Sequence, residues 1–157
     1  MPYQQSDLSA HKGSAYHTHS LRLQIHRILG PSVRIPLGAS FHYTEADPLA
    51  VRVELHTPEG PVVRWAVSRD LLYDGTEEPS GMGDVRLWPS LAQSHRVVCM
   101  RLEAGGLSCL FEIDLRRLQD WLVETFAMVH PGTEFGQMDW DLVLEVLTDG
   151  KGGSSCP

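Results

Sequence analysis

Between Leu21 and Ile28 the chain reads LRLQIHRI, with Leu21, Leu23 and Ile25 on one side of a period-two pattern and Arg22, Gln24 and His26 on the other. That alternation predicts a half-buried strand. GPS at 30–32 is a turn, and VRIPLGASFHY continues as a second strand. Pro36 within it lacks an amide donor, so this segment belongs at an edge or a bulge. Ala46-Asp47-Pro48 breaks the chain, after which AVRVELHT (50–57) opposes Val51, Val53 and Leu55 to Arg52, Glu54 and His56. PEGP turns into VVRWAVS (62–68), where Val63, Trp65 and Val67 oppose Arg64. The prediction is a four-strand meander.

Ser68 can cap a short helical turn, RDLLYDG, ended by Gly75. The turn-rich TEEPSGMG then leads into a short strand, DVRLW, which Trp88-Pro89 should end. RVVCMRL and LSCLFEI predict a hairpin around a four-residue EAGG loop, with Leu102 opposite Leu107. Val98, Met100, Leu102, Leu107, Cys109 and Phe111 would then share a core face. Asp114 caps a helix running to about Met128, with Leu115, Leu118, Leu122, Phe126 and Val129 on one stripe. Pro131 stops it, and Asp139 caps a second helix that Gly150 terminates. The apolar residues of that helix, Trp140, Leu142, Val143, Leu144, Val146 and Leu147, cover more than one stripe. That breadth predicts burial on several sides, by its own domain or by another subunit. The class is α+β: about seven antiparallel strands, then two C-terminal helices covering one face of the sheet.

Length adds that a chain of 157 residues fits one domain, spanning 20–149. Residues 1–19 lack periodicity and predict a mobile extension, and 150–157 a flexible tail. No apolar run is long enough for a spanning helix, and the polar N-terminus has no secretion-signal layout, which predicts a cytoplasmic protein without membrane insertion. Cys99, Cys109 and Cys156 are too few and too odd for a disulfide framework. Net charge is −7, with +2 on residues 1–69 and −9 on 70–157. That balance argues against general affinity for a polyanion.

Candidate chemistry is sparse. Gly81 and Gly83 precede a strand rather than opening a helix, so they form no phosphate cradle. The chain has no Gly-x-Ser-x-Gly elbow, no His-Glu-x-x-His and no Cys-x-x-Cys, and no catalytic, metal or cofactor residue is assigned. His11, His17 and His19 lack a carboxylate or thiol beside them and read as incidental. One surface pattern stands out: Arg22, Arg34, Arg52 and Arg64 all point away from the apolar sides of their strands. Were those strands neighbours, one sheet face would carry arginines able to dock an acidic protein or single-stranded nucleic acid. Trp65, the clear aromatic of these strands, is on the apolar side, which counts against base stacking.

FHYTEADPLAVRVELHT, VVRWAVSRDLLYDGTEEPSGMGDVRLWPS, RVVCMRL and HPGTEFGQMDWDLVLEVL resemble the SsgA-like proteins of actinobacteria over about residues 20–149. The most specific stretches are Asp47-Pro48, Trp65 through Arg69-Asp70, and Gly83-Asp84-Val85-Arg86-Leu87-Trp88-Pro89. GDVRLWPS and RVVC look closest to the SsgB type. The resemblance implies a non-enzymatic regulator of sporulation-specific cell division. It implies recruitment of the tubulin-like protein FtsZ to septum sites, action with SsgA-type proteins and a homotrimer. It also implies a fold similar to Whirly and mitochondrial guide-RNA-binding proteins. The alternative from the arginine pattern is single-stranded nucleic-acid binding.

Overall fold

Alternating strands with one apolar side must bury that side, and here seven of them do so together. A computed structural model describes residues 15–137 and 139–149. The strands are β1 (Thr18–Gly30), β2 (Val33–Thr44), β3 (Asp47–His56), β4 (Val63–Ser68), β5 (Val85–Ala92), β6 (His95–Ala104) and β7 (Leu107–Asp114). They form one sheet in the order β4-β3-β2-β1-β7-β6-β5, with every described pairing antiparallel. The helices are α1 (Arg69–Glu77), α2 (Leu115–Met128), α3 (Glu134–Gln137) and α4 (Trp140–Asp149). The α+β class is as expected, and the meander β1 to β4 is in place.

All predicted inward positions fall on one inner face. Ile25, Phe41, Val51, Val53, Leu87, Val98, Met100 and Ile113 are fully buried there, with Leu72 of α1 and Leu118 and Leu122 of α2 packed on them. Ser68 caps α1 by accepting from Leu71 N, and Asp114 caps α2 by accepting from Arg117 N at 2.9 Å.

Several details differ from expectation, each for a physical reason. β1 begins at Thr18, inside the predicted extension, because Thr18 pairs with Thr44; residues 1–14 and the tail 150–157 lie outside the described residues. The turn before β3 is Glu45–Ala46, and Asp47 already pairs with Thr44, so Asp47-Pro48 opens the strand instead of breaking the chain. β2 is an interior strand. Pro36 is tolerated because β2 meets β3 only from Gly38 onward, leaving the earlier residues at a local edge.

α1 runs past Gly75 to Glu77, since glycine here is a packing choice: a Cβ at Gly75 would lie 2.4 Å from Leu87 Cβ. β5 continues through Pro89 to Ala92. It is the last strand of the sheet, and the Leu87 N and O groups turn outward to Ser80 (2.9 and 2.8 Å). Pro89, two residues on, therefore points its donor-less nitrogen at the same open side.

The β6–β7 turn is Gly105–Gly106, both at positive φ, so Leu102 faces Cys109 and Ala104 faces Leu107. The expected register was displaced by two residues. Because two is the side-chain period, the inner face survived the displacement, but Leu107 is 75% exposed rather than core. Among the described residues, α1 and α2 pack over the sheet and α3 touches β3. α4 is capped by Asp139, whose carboxylate accepts from Leu142 N, but Trp140 and Leu144 are 51% and 57% exposed. The chain's own domain thus does not enclose either residue.

Candidate partner interface

A partner can touch only what the fold leaves outside, so burial sorts the candidate residues first. Arg69 is 1% exposed. Ser68 starts a helix immediately after β4, which aims the Arg69 side chain into the layer between sheet and α2. Its Nη1 donates to Tyr43 Oη (2.8 Å) and to the carbonyls of Thr125 and Val129 (each 2.9 Å); its Nη2 reaches Glu134 Oε1 at 3.2 Å. Those carbonyls lie in the last turn of α2 and at its cap, where the negative end of the helix dipole favours a cation; the Thr125 oxygen also accepts from Val129 N. The guanidinium also lies 4.3 Å from the Phe126 ring centroid and 4.9 Å from that of Tyr43. Burial pushes the Tyr43 hydroxyl up to about 12, with Arg69 opposing, and that hydroxyl donates to Pro48 O at 3.1 Å. Arg69, Tyr43 and Pro48 are thus one internal assembly joining β2, β3, α1, α2 and α3.

The other motif residues separate. Asp47 is half-buried, and burial raises its carboxyl above the ordinary range while Arg52 opposes. Asp70 is exposed in the first turn of α1, where an acid suits the helix dipole. Gly83 turns at φ +74 and Asp84 is exposed; the Asp84 carbonyl accepts from Glu103 N. Arg86 is exposed opposite Arg101, Trp88 is half-buried opposite Cys99, and Pro89 faces Val98. Trp65 is half-buried on the inner face. These motif residues do not converge on one spot.

The outer face does bring the predicted arginines together. Strands β4, β3, β2 and β1 are neighbours, and the cross-strand row Arg64, Glu54, Ser40, Arg22 runs across them. Glu54 is the hub: Arg64 Nε is 3.4 Å away, and His42 and His56 approach at 3.8 and 3.9 Å. Arg34 pairs with Glu112 of β7. Arg22 and Arg52 are exposed, and among the described residues neither has a carboxylate within ion-pair distance. The histidines carry hydroxyl partners, Ser20 Oγ to His42 Nδ1 (2.8 Å) and Ser40 Oγ to His56 Nε2 (3.2 Å). Phe, Tyr and Trp are missing from the outward positions of these four strands; Trp88 is on the far strand β5.

Sequence reasoning missed Arg27, Tyr43 and Glu134. Arg27 was detectable, because it falls on the apolar side of the β1 alternation. Glu134 was not, since its role depends on α3 returning to Arg69 from 65 residues away.

The family model described as Streptomyces sporulation and cell division protein, SsgA, matches residues 37–134. The sporulation-specific cell division protein SsgB of Streptomyces coelicolor is 38% identical over 127 residues, 81% of this chain and 93% of that protein. SsgB of Salinispora tropica is 34% identical, over 80% of this chain and 90% of its own length. A solved structure from work on SsgB mutations and longitudinal cell division during sporulation of S. coelicolor matches with a TM-score of 0.76. It is 36% identical and covers 78% of this chain and 97% of that one. An SsgA-like sporulation-specific cell division protein from Thermobifida fusca matches at 0.74, with 28% identity over 85% of this chain and 97% of that one. The chain belongs to the SsgA family of sporulation and cell division proteins, and to its SsgB type.

Proposed function

We propose that this chain is a non-catalytic scaffold of sporulation-specific cell division that recruits FtsZ to septum sites and promotes its assembly. The observation that carries the reading is its likeness to SsgB proteins along most of both chains. The exposed Arg22 and Arg52 on the outer face suit contact with an acidic partner segment, and rim charges of this kind steer encounter more than they add affinity. A homotrimer would present three copies of a weak site and raise effective concentration along a filament.

The test is co-sedimentation with FtsZ filaments, alongside light scattering for the trimer. Pelleting with filaments and faster assembly are expected. Failure on both counts, where a known activator succeeds, ends the proposal. The nucleic-acid alternative has the same two arginines in its favour and the missing aromatics against it. Absence of filter binding to single strands at low salt, where the phosphate contribution is largest, disposes of it.

A further inference from the structure

Inside the curve of the sheet, at the end away from α1 and α2, lies a cavity of about 380 Å³ between β2–β4 on one side and β6–β7 on the other. Its walls are apolar: Ile35, Leu55, Val63, Leu102 and Phe111 are among the lining residues, with Trp65. Among the described residues, Arg27 is the one charged residue of the lining. It stands on the inner face of β1, between Ile35 of β2 and Phe111 of β7. Among the described residues Arg27 has no ion pair or hydrogen bond to its side chain. Val63, Ile35 and Leu107 are 41%, 40% and 75% exposed, so the cavity opens to solvent through an apolar rim.

We propose that this cavity binds a single-chain carboxylate amphiphile, its hydrocarbon inside and its carboxylate on Arg27. The volume lies within the range of small-molecule sites, and mouths of curved sheets are common places for them. A guanidinium fork matches a carboxylate in two parallel hydrogen bonds. A hydrocarbon is favoured over a peptide by the accounting of polar groups. Every peptide unit brings a donor and an acceptor that must be satisfied when buried. Besides Arg27, the lining side chains with hydrogen-bonding atoms are Thr57, already turned to Pro61 O at 3.5 Å, the Trp65 indole and the Cys109 thiol. Strand main-chain groups lie in the plane of the sheet and cannot serve a ligand on its face.

The experiment is calorimetric titration of the full chain with octanoate, decanoate and dodecanoate below their micelle concentrations, with dodecyltrimethylammonium as the cationic control. Expected are one site per chain and affinity rising about fourfold per added methylene. Arg27→Gln, a surface change that should not disturb folding, lowers dodecanoate affinity about tenfold and does not weaken the cationic control, since it removes a like charge beside that head group. Ala104→Trp, at the exposed rim, reduces binding of every chain length. Bound dodecanoate also slows alkylation of Cys109 by iodoacetamide, read peptide by peptide so that Cys99 and Cys156 are separate. Equal binding of the two head groups, no dependence on chain length, or Cys109 reacting at the same rate when saturated overturns the proposal. So does a cavity already closed by a second copy, seen as Cys109 protected without ligand in a chain that binds no dodecanoate.

Discussion

The two ends of the inner face differ although the same strands build both. At one end α1 and α2 close over the sheet, and a buried guanidinium satisfies carbonyls, a hydroxyl and a carboxylate at once. At the other, the apolar side chains continue but the helices do not. An arginine without a partner among the described residues faces an open cavity there. One arginine is locked by what surrounds it and the other is left available. A cation over the apolar side of the sheet is therefore structural or recruitable depending on whether acceptors within the chain reach it.

The contrast can be broken most forcefully at Arg69. Replacing it with Met leaves Glu134 buried without its partner and should cost about 3–5 kcal/mol, read as a lower urea midpoint. The double change Arg69→Met with Glu134→Gln should recover part of that loss. If Arg69→Met unfolds at the wild-type midpoint, the closed end is not held by this residue. A smaller effect is expected at Gly75. Gly75→Ala drives a methyl into Leu87 and should destabilise by about 1–3 kcal/mol, with the near-ultraviolet circular dichroism of the aromatic core as a second readout.

Acid titration separates the ends without large substitutions. The Glu134 carboxyl is held below its ordinary value of 4.5, first by its own backbone N–H and further by that of Gly132 and by Arg69, while burial works the other way. A depressed carboxyl contributes stability that is present above its unfolded value and is lost as pH falls through the folded one. Thermal midpoints should therefore drop as pH falls below about 4.5, and the Glu134→Gln curve should be flatter across that interval. A Glu134→Gln profile parallel to the wild type would remove Glu134 as the cause. The smallest effect belongs to the open end: Leu107→Ser, at an exposed rim position, should change stability by no more than about 0.5 kcal/mol. A loss of several times that would mean the rim is covered in solution.

Much of the closed end was legible because local rules and the global fold agree there. Period-two alternation in β1 to β4 named the inner residues, and Ser68 and Asp114 announced their helices. What was not legible had nonlocal causes. Pro89 reads as a stop until β5 is known to be the last strand, and Gly75 reads as a cap until Leu87 is known to lie against it. The β6–β7 register was displaced by a whole period and still gave the correct face; at Leu107 only the burial failed, because the strand outruns the core there. For the surface, the arginines of the outer face were predictable one by one. Their pairing was not, since Glu54 gathers Arg64 and two histidines from strands whose order the sequence does not state.

The fold-back of Ser80 onto Leu87 also bears on solubility. The last strand of an open sheet is a template on which another chain can add, and unchecked addition leads to aggregates and fibres. On β5 the chain itself already fills the position at Leu87, and the ring of Pro89 withholds the next donor. Copies of this protein crowded together should consequently resist stacking strand on strand along this border, leaving their faces to meet other molecules.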